Sequence, residues 1–319
     1  MPSTSTTAPS VGAAPAAALL RPYVCGATSA VMASVAVHPV DLTKVRMQLI
    51  GVGTRSVRPS AITIASNAVR SDGVRALYAG LSAAATRQAI YGTARIGLHT
   101  AFSNQMRAMQ GGGDLPLYKS FAASFASGAI ASFAGNPFDV ALVRMQADGL
   151  KKASARRNYR GVLDAMYRIA SQEGVRSLWS GFTPTLARAV AMNVGMMASY
   201  DQAKQAIVKV NGYGMTTNLA SSAIAGFFCA AVALPFDLIK TRMQDMKTNP
   251  KTGVRPYKNV LDCGMRILAK EGPAAFWRGF VTFYARCAPH AMIILLAREH
   301  LFEAYDASFG TAGTKRYYQ

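Results

Sequence analysis

The chain has 319 residues, of which 51% are hydrophobic and 16% are charged, and its net charge is +20. This composition is too apolar for an ordinary water-soluble protein. The positive charge would suit nucleic acid, but no basic run interleaved with aromatic residues occurs. We therefore expect no nucleic-acid partner, and the charge indicates anionic lipid, an anionic substrate or both.

Four cysteines stand singly among apolar neighbours, at Cys25, Cys229, Cys263 and Cys287. Their spacing matches neither a disulfide framework nor a zinc site. We expect buried free thiols and no bound metal.

In chain order, residues 1–17 are rich in Ser, Thr, Ala and Pro and predict a disordered tail. The first twenty residues contain no Lys or Arg, which fits neither a signal peptide nor an Arg-rich transit peptide. An apolar helix is predicted over residues 18–37, with small residues four apart that let membrane helices approach closely. Pro39 removes a backbone hydrogen bond and predicts a kink, after which the helix continues through Gln48.

A basic loop follows this helix, and residues 61–69 within it predict a short amphipathic helix at the membrane surface. The loop ends in the motif acidic-Gly-x-x-x-x-aromatic-x-Gly, from Asp72 to Gly80. A second apolar helix then runs to about residue 106, and the glycines at 111–113 end the first repeat.

The same plan recurs twice along the chain. The predicted repeats are residues 18–113, 114–213 and 214–306, with a tail at residues 307–319. Six apolar spans of roughly twenty to thirty residues exceed what a ~30 Å hydrocarbon core requires at ~1.5 Å per residue. We predict an all-α membrane protein with six transmembrane helices in three tandem repeats and short helices on its surface.

A ten-residue segment closes the first helix of each repeat and reads Pro-x-Asp-x-x-x-x-Arg-Met-Gln. The three copies begin at Pro39, Pro137 and Pro235, 98 residues apart. Such a period indicates one structural module that has been triplicated. The sixth position is Lys44 in the first copy and Lys240 in the third, but Leu142 in the second.

The loops between the two long helices of each repeat hold most of the Lys and Arg. By the positive-inside rule, these long loops face the negative compartment. An even number of spans places both termini on the opposite side.

Arg87, Arg188 and Arg286 each lie seven residues beyond the glycine at which the second helix of a repeat begins. Seven residues are ~10 Å of helix, so these cations lie inside the apolar slab and must face water or an anion. Guanidinium groups bind carboxylates through two parallel hydrogen bonds, so the set suits a substrate with two carboxylates. Arginines that extend to lipid headgroups are the alternative.

Three copies of Pro-x-Asp-x-x-(Lys/Arg)-x-Arg, each followed by the acidic-Gly motif, resemble the mitochondrial carrier family over residues 20–306, apart from Leu142 in the second copy. Within the family, the dicarboxylate subgroup that exchanges 2-oxoglutarate and malate is most similar, at residues 87–95, 139–149, 187–193 and 284–290. The resemblance implies a six-helix barrel with pseudo-threefold symmetry, a central substrate site, and a gate at each face.

For the gate on the matrix side, the resemblance implies ion pairs between helices. The pairs are Asp139 with Lys240 and Asp237 with Lys44. Asp41 faces Leu142 and needs another donor or water. Ion pairs within one helix, such as Asp41 with Lys44, are the alternative.

Gln48, Gln146 and Gln244 end the three segments, where the family places a glutamine that braces these ion pairs. Ordinary polar residues at a helix end are the alternative.

At the cytosolic face, the family has an aromatic-acidic-x-x-basic motif on the second helix of each repeat. Only the second repeat matches it, with Tyr200, Asp201 and Lys204, while the sixth long helix offers Glu299. No complete ion pair can be assembled in the family's pattern, so we expect a weaker cytosolic gate. The unliganded protein should then favour opening to the cytosol.

Four further residues are candidates for substrate contact. They are Tyr91, Arg95, Asn193 and His290. An interior histidine without a ligand is the alternative for His290. Met196 stands where the 2-oxoglutarate carriers have a polar residue, which leaves the exact substrate open.

Gly80, Gly181 and Gly279 begin helices whose free amides suit a phosphate group. The resemblance implies cardiolipin at these sites, and Arg278 supplies the motif's basic residue. Aromatic anchoring at the interface without a specific lipid is the alternative.

The resemblance therefore implies a monomeric antiporter of the mitochondrial inner membrane, exchanging 2-oxoglutarate for malate or related dicarboxylates without a cofactor. Both termini would face the intermembrane space. No catalytic dyad, metal cluster or phosphate-binding loop indicates an enzyme. A dicarboxylate–phosphate or di/tricarboxylate exchanger, a proton-conducting uncoupling relative, and a structural lipid-binding protein are the alternatives.

Overall fold

The computed structural model describes residues 14–50, 59–111, 115–151, 153–212, 215–246 and 256–309. Regular secondary structure within these residues is helical throughout, which confirms the predicted class. Six helices are long, with 29 to 36 residues. They are α1 (Ala14–Leu49), α3 (Leu81–Met109), α4 (Leu117–Asp148), α6 (Phe182–Asn211), α7 (Met215–Asp245) and α9 (Phe280–Phe309).

Three short helices lie between the long ones, at α2 (Ala61–Asp72), α5 (Val162–Glu173) and α8 (Val260–Glu271). Each is followed by a five-residue 3₁₀-helix, at Val74–Tyr78, Val175–Trp179 and Pro273–Trp277. The predicted surface helix over residues 61–69 is α2, extended by three residues.

The long helices form a closed ring in the order α1, α3, α4, α6, α7, α9, with α9 packed against α1. Helices α1, α4 and α7 also contact one another. These three end on the face that carries α2, α5 and α8, which we call the long-loop face.

Each short helix buries one apolar stripe and exposes another. The buried positions recur one turn apart in all three repeats, as Ile64 and Ala68, Ala165 and Ile169, Cys263 and Ile267. The second residue of each helix is exposed and apolar, at Ile62, Leu163 and Leu261. Burial raises the pKa of the Cys263 thiol to about 12, so this group stays protonated at neutral pH.

Two helical segments, Leu20–Leu49 and Ala223–Asp245, are long and apolar enough by length and composition alone to cross a membrane. Charges reduce the hydropathy of other long helices. On α3, for example, Arg87 and Arg95 line the interior of the ring.

Candidate functional site

A cavity of about 640 Å³ lies between the six long helices. Its polar lining combines the carboxylates and lysines of the repeated segments with one arginine from the second long helix of each repeat. These residues are Asp41, Lys44, Asp139, Asp237, Lys240, Arg87, Arg188 and Arg286. The sequence motifs therefore meet in one interior site.

The contact between α1 and α7 is the most fully hydrogen-bonded part of this site. Lys44 Nζ lies 2.5 Å from Asp237 Oδ2, and both side chains are buried. Gln48 donates its amide to the same carboxylate at 2.9 Å and accepts a hydrogen bond from Thr241 at 2.7 Å. Gln48 has the contacts expected of a brace.

The contact between α4 and α7 carries the second ion pair, between Lys240 Nζ and Asp139 Oδ2 at 2.9 Å. Gln244, the glutamine expected to brace it, is fully buried, yet neither polar atom of its side chain has a hydrogen-bond partner among the described residues. Its Cγ packs against Gly181 instead. The role of Gln244 as a brace therefore stays a prediction.

The contact between α1 and α4 has no lysine–aspartate pair among the described residues. Leu142 stands at the lysine position and packs against Ala83 of α3, Ala141 of α4 and Ala165 of α5. Asp41 forms its ion pair with Arg286 of α9 rather than with α4. The donor that Asp41 finds is therefore one of the three interior arginines. Gln146 is buried beside this contact and lines the cavity.

The three interior arginines are each directed at one aspartate of the repeated segments. Arg87 pairs with Asp139, Arg286 pairs with Asp41, and Arg188 Nε lies 3.8 Å from Asp237 Oδ1. Each contact places opposite charges together. An isolated charge inside a membrane protein is costly, so the pairing stabilises both the arginine and the aspartate.

A second set of arginines ties the ends of α1, α4 and α7 together. Each donates to the backbone oxygen of the glutamine in another repeat: Arg46 to Gln146, Arg144 to Gln244, and Arg242 to Gln48, at 3.1, 3.1 and 3.4 Å. Carbonyls at a helix end lack partners within the helix, so these cations satisfy them. Sequence reasoning missed this role, although the arginine recurs in all three copies.

Two members of this set are also held by buried carboxylates. Arg144 forms two hydrogen bonds with Glu173 at 2.6 and 2.9 Å, and Arg242 forms two with Glu271 at 2.5 and 2.9 Å. The separation of 29 residues, found twice in the sequence, is the signal that could have predicted them.

Comparison with known proteins agrees with this arrangement. The model of the mitochondrial carrier protein family matches residues 16–109, 113–211 and 212–307. The chain belongs to the mitochondrial carrier family. It is therefore a transporter and not an enzyme, and the family implies a multi-pass protein of the mitochondrial inner membrane.

Several members of the carrier family are similar over most of the chain. The mitochondrial dicarboxylate/tricarboxylate transporter of Arabidopsis thaliana is 42% identical over 275 residues, covering 86% of this chain and 90% of the relative. The mitochondrial 2-oxoglutarate/malate carrier protein of Sus scrofa is 39% identical over 282 residues, covering 87% and 83%. Mitochondrial uncoupling protein 5 of Arabidopsis thaliana is 35% identical over 313 residues, covering 90% and 99%.

Three of the four remaining candidates for substrate contact lie in the described part of the structure. Tyr91, Arg95 and His290 line the cavity. The guanidinium of Arg87 lies 5.3 Å from the centre of the Tyr91 ring, within the range of a cation–π contact. The side chains of Asn193 and Met196 lie outside the described part of the structure.

The proposed cytosolic gate stays a prediction. The side chains of Tyr200 and Asp201 are not among those described, Lys204 is half-buried, and Glu299 is exposed on α9. At the same end, Arg21 of α1 pairs with Asp306 of α9 at 2.6 Å and lies over the Phe302 ring. Sequence reasoning missed this contact, which joins residues 285 positions apart.

The glycines proposed for lipid binding have a structural role as well. Gly181 has a φ of +78°, and a Cβ there would lie 2.8 Å from the Gln244 side chain. Gly80 has a φ of +86° and faces Leu142 in the same way. Arg278 is ion-paired with Glu271, and Gly279 has a φ of +79° beside Lys44. Their contact with cardiolipin stays a prediction.

Pro39, Pro137 and Pro235 lie inside continuous helices. In two repeats, the side chain of the residue before the proline forms a hydrogen bond with a backbone oxygen outside the helix. His38 Nε2 is 3.0 Å from the Ala79 oxygen, and Asn136 donates to the Leu178 oxygen at 2.9 Å. In these two repeats the contacts connect the proline region to the 3₁₀-helix that precedes the next long helix.

Proposed function

We propose that this carrier exchanges 2-oxoglutarate for malate or related dicarboxylates across the mitochondrial inner membrane by alternating access. The observation that carries the proposal is the convergence of Arg87, Arg188 and Arg286 on one cavity, each directed at a carboxylate of the protein itself. Relatives named as 2-oxoglutarate/malate and dicarboxylate/tricarboxylate carriers support the substrate class.

In the proposed mechanism, the substrate carboxylates replace the aspartates as partners of the arginines. Asp139 and Asp237 also hold Lys240 and Lys44, so removing an arginine from either aspartate alters the charge balance of an ion pair that closes the long-loop face. Substrate binding and gate opening are thereby coupled through shared carboxylates.

The free energy available from substrate binding is large enough to open the gate. Moving a gate from 1:99 to 99:1 requires ~5.5 kcal/mol of differential binding. A hydrogen bond to a charged group is worth ~1.5–3 kcal/mol, so a few substrate–arginine bonds formed only in the rearranged state reach that amount. A substrate with one carboxylate supplies fewer of them and should be exchanged poorly.

The proposed orientation puts the long-loop face in the matrix and both termini in the intermembrane space, because the long loops are basic. Lys44–Asp237 and Lys240–Asp139 then form the matrix gate. We further propose that the carrier works as a monomer, since the ring of six helices encloses a cavity within one chain, and that cardiolipin binds near Gly80, Gly181 and Gly279.

The test is uptake of labelled 2-oxoglutarate into cardiolipin-containing liposomes that carry the purified protein. The liposomes are preloaded with 2-oxoglutarate, malate, citrate, phosphate or nothing. We expect uptake only with an internal di- or tricarboxylate, and fastest with malate or 2-oxoglutarate. Fastest exchange with phosphate or citrate would replace the substrate pair, and no exchange with any of them would refute the transport proposal.

The second candidate is a broader di/tricarboxylate exchanger, favoured by the 42% identity to the Arabidopsis transporter. The citrate-loaded liposomes separate the two. Uptake with internal citrate that equals uptake with internal malate would establish the broader activity.

A further inference from the structure

Two adjacent arginines in the loop between α4 and α5 bind carboxylates of two different repeats on the long-loop face. Arg156 forms two hydrogen bonds with the carboxylate of Asp72, at 2.8 and 3.0 Å. Arg157 binds the Asp245 carboxylate at 2.9 Å and the Asp245 backbone oxygen at 3.0 Å. Asp72 ends α2 in the first repeat and Asp245 ends α7 in the third. A loop of the second repeat therefore forms ion pairs with both the first and the third repeat.

The loop is held in position by its own backbone contacts. The carboxylate of Asp148 at the end of α4 accepts hydrogen bonds from the N–H groups of Arg157 and Asn158, both at 2.7 Å. Asn158 has a φ of +47°, and Arg156 Nε donates to the Lys151 oxygen at 3.3 Å. A preorganised turn thus directs the two guanidinium groups, which reduces the entropy lost in forming their ion pairs.

The Arg156–Asp72 pair lies between the two repeats whose inner contact has no lysine–aspartate pair. Leu142 replaces the lysine there, and Asp41 is bound to Arg286. Among the described residues, the other ion pair between the first and second repeats is Arg87–Asp139. That pair uses an arginine assigned above to the substrate, so it is not available to hold the repeats together once substrate is bound.

Charge and geometry both suit the Arg156–Asp72 ion pair to holding the first and second repeats together. Hydrogen bonds from Arg156 keep the pKa of Asp72 below its usual range, so the carboxylate is charged at neutral pH. Each side chain is still about 30% exposed, at 26% and 30%, so the pair is screened by salt and can break without burying a charge.

We propose that Arg156 and Arg157 form an outer latch of the matrix gate, in which Arg156–Asp72 supplies the ion pair that Leu142 removes from the inner gate. The proposal rests on the proposed function for the assignment of the long-loop face as a gate. In each transport cycle the latch must open for the repeats to separate on that face.

The experiment measures the distance between the first two repeats in the substrate-free protein. Nitroxide labels are placed at Ile62→Cys and Leu163→Cys, which are 82% and 76% exposed, after Cys25, Cys229, Cys263 and Cys287 are replaced by serine. Pulsed electron–electron resonance then gives the distance distribution in detergent at low salt. A second label pair at Leu163→Cys and Leu261→Cys reports the second and third repeats.

Arg156→Ala and Asp72→Ala should each increase the long-distance population of the first label pair by ~1.5- to 5-fold, the range expected for an exposed ion pair. The second label pair should not change in these variants, whereas Arg157→Ala should affect it. The charge-swapped double variant Asp72→Arg/Arg156→Asp should restore the original distribution. High salt should widen the distribution of the unmodified protein and leave Arg156→Ala unaffected.

The matched control is Arg266→Ala. Arg266 pairs with Asp262 at 2.8 Å within α8, and the two side chains are 48% and 23% exposed, so its loss removes an exposed charge pair without separating two repeats. A change in Arg156→Ala and Asp72→Ala no larger than in this control would overturn the latch. Because no substrate is used, that result leaves the transport proposal standing, while failed exchange in liposomes would refute transport without altering these distances.

Discussion

At the scale of single residues, the interior site is organised by shared carboxylates. Asp139 and Asp237 each contact a lysine of a neighbouring repeat and one of the three interior arginines. Asp41 contacts Arg286 alone among the ion pairs of the described residues. The three aspartates occupy equivalent sequence positions, yet they have different partners, and substitutions should therefore differ in effect.

Arg188→Ala should abolish dicarboxylate exchange and leave the protein folded. Arg188 lies in the cavity, and its distance of 3.8 Å from Asp237 makes it the most weakly bound of the three interior arginines. Loss of the charge removes substrate hydrogen bonds worth ~1.5–3 kcal/mol each, or at least a ten-fold decrease in exchange. Liposome exchange and thermal unfolding in detergent measure the two effects, and retained exchange would remove Arg188 from the site.

Gln48→Met and Gln244→Met should have different consequences, although the two glutamines are equivalent in sequence. Gln48 hydrogen-bonds Asp237 and Thr241, so its replacement leaves buried groups unpaired and should cost ~1–3 kcal/mol of stability. Gln244 has no hydrogen-bond partner for its side chain among the described residues, so its replacement should be nearly neutral. Thermal unfolding compares them, and an equal loss of stability would show that Gln244 is also a brace.

At the scale of helices, the contacts among α1, α4 and α7 close the long-loop face unequally. Two of them have a lysine–aspartate pair, and the contact between α1 and α4 has none among the described residues, because Leu142 occupies the lysine position. Backbone contacts from Arg46, Arg144 and Arg242 occur in all three. The inequality therefore comes from side chains inside the ring and not from the helix ends.

Leu142→Lys should strengthen the contact between α1 and α4, because Leu142 and Asp41 both line the cavity and the family's pattern pairs a basic residue here with that aspartate. A gate harder to open by ~1.4 kcal/mol slows exchange about ten-fold. Leu142→Met keeps the volume without the charge and is the control. The measurement is the rate of exchange in liposomes for the two variants. Faster opening of the gate in Leu142→Lys would contradict the interpretation of Leu142 as a missing ion pair.

At the scale of the whole molecule, the structure has its lysine–aspartate pairs formed at the long-loop face. At the other end, Arg21–Asp306 joins the first and last long helices. The site is thus closed by paired charges on the side proposed to face the matrix, which suits a resting carrier open toward the cytosol.

The unliganded carrier should therefore expose its cavity to a membrane-impermeant thiol reagent from the cytosolic side. A cysteine at Ser124, which lines the cavity, is the probe in a background without the native cysteines. Substrate should increase labelling from the matrix side, because it releases the gate. Labelling mainly from the matrix side without substrate would show that the matrix gate is the weaker one.

Sequence alone determined the helices, the repeats and the residues that occur in threes. Apolar runs, prolines and glycines are local signals, so the helix predicted to continue past Pro39 through Gln48 matches α1, and the surface helix predicted over residues 61–69 falls within α2. The family motifs also indicated which lysine faces which aspartate. These features depend on neighbours along the chain or on a repeated spacing, and both can be read without coordinates.

Only the tertiary structure decided which charged groups share a partner. Asp41 binds Arg286 at a separation of 245 residues, Gln244 has no side-chain hydrogen bond among the described residues while Gln48 has two partners, and Arg156 reaches Asp72 in another repeat. Such contacts depend on distances between helices to within about an ångström, because ion pairs and hydrogen bonds weaken steeply beyond their ordinary lengths. Helix packing sets those distances, and three repeats of similar sequence do not pack identically once Leu142 stands where the others have lysine.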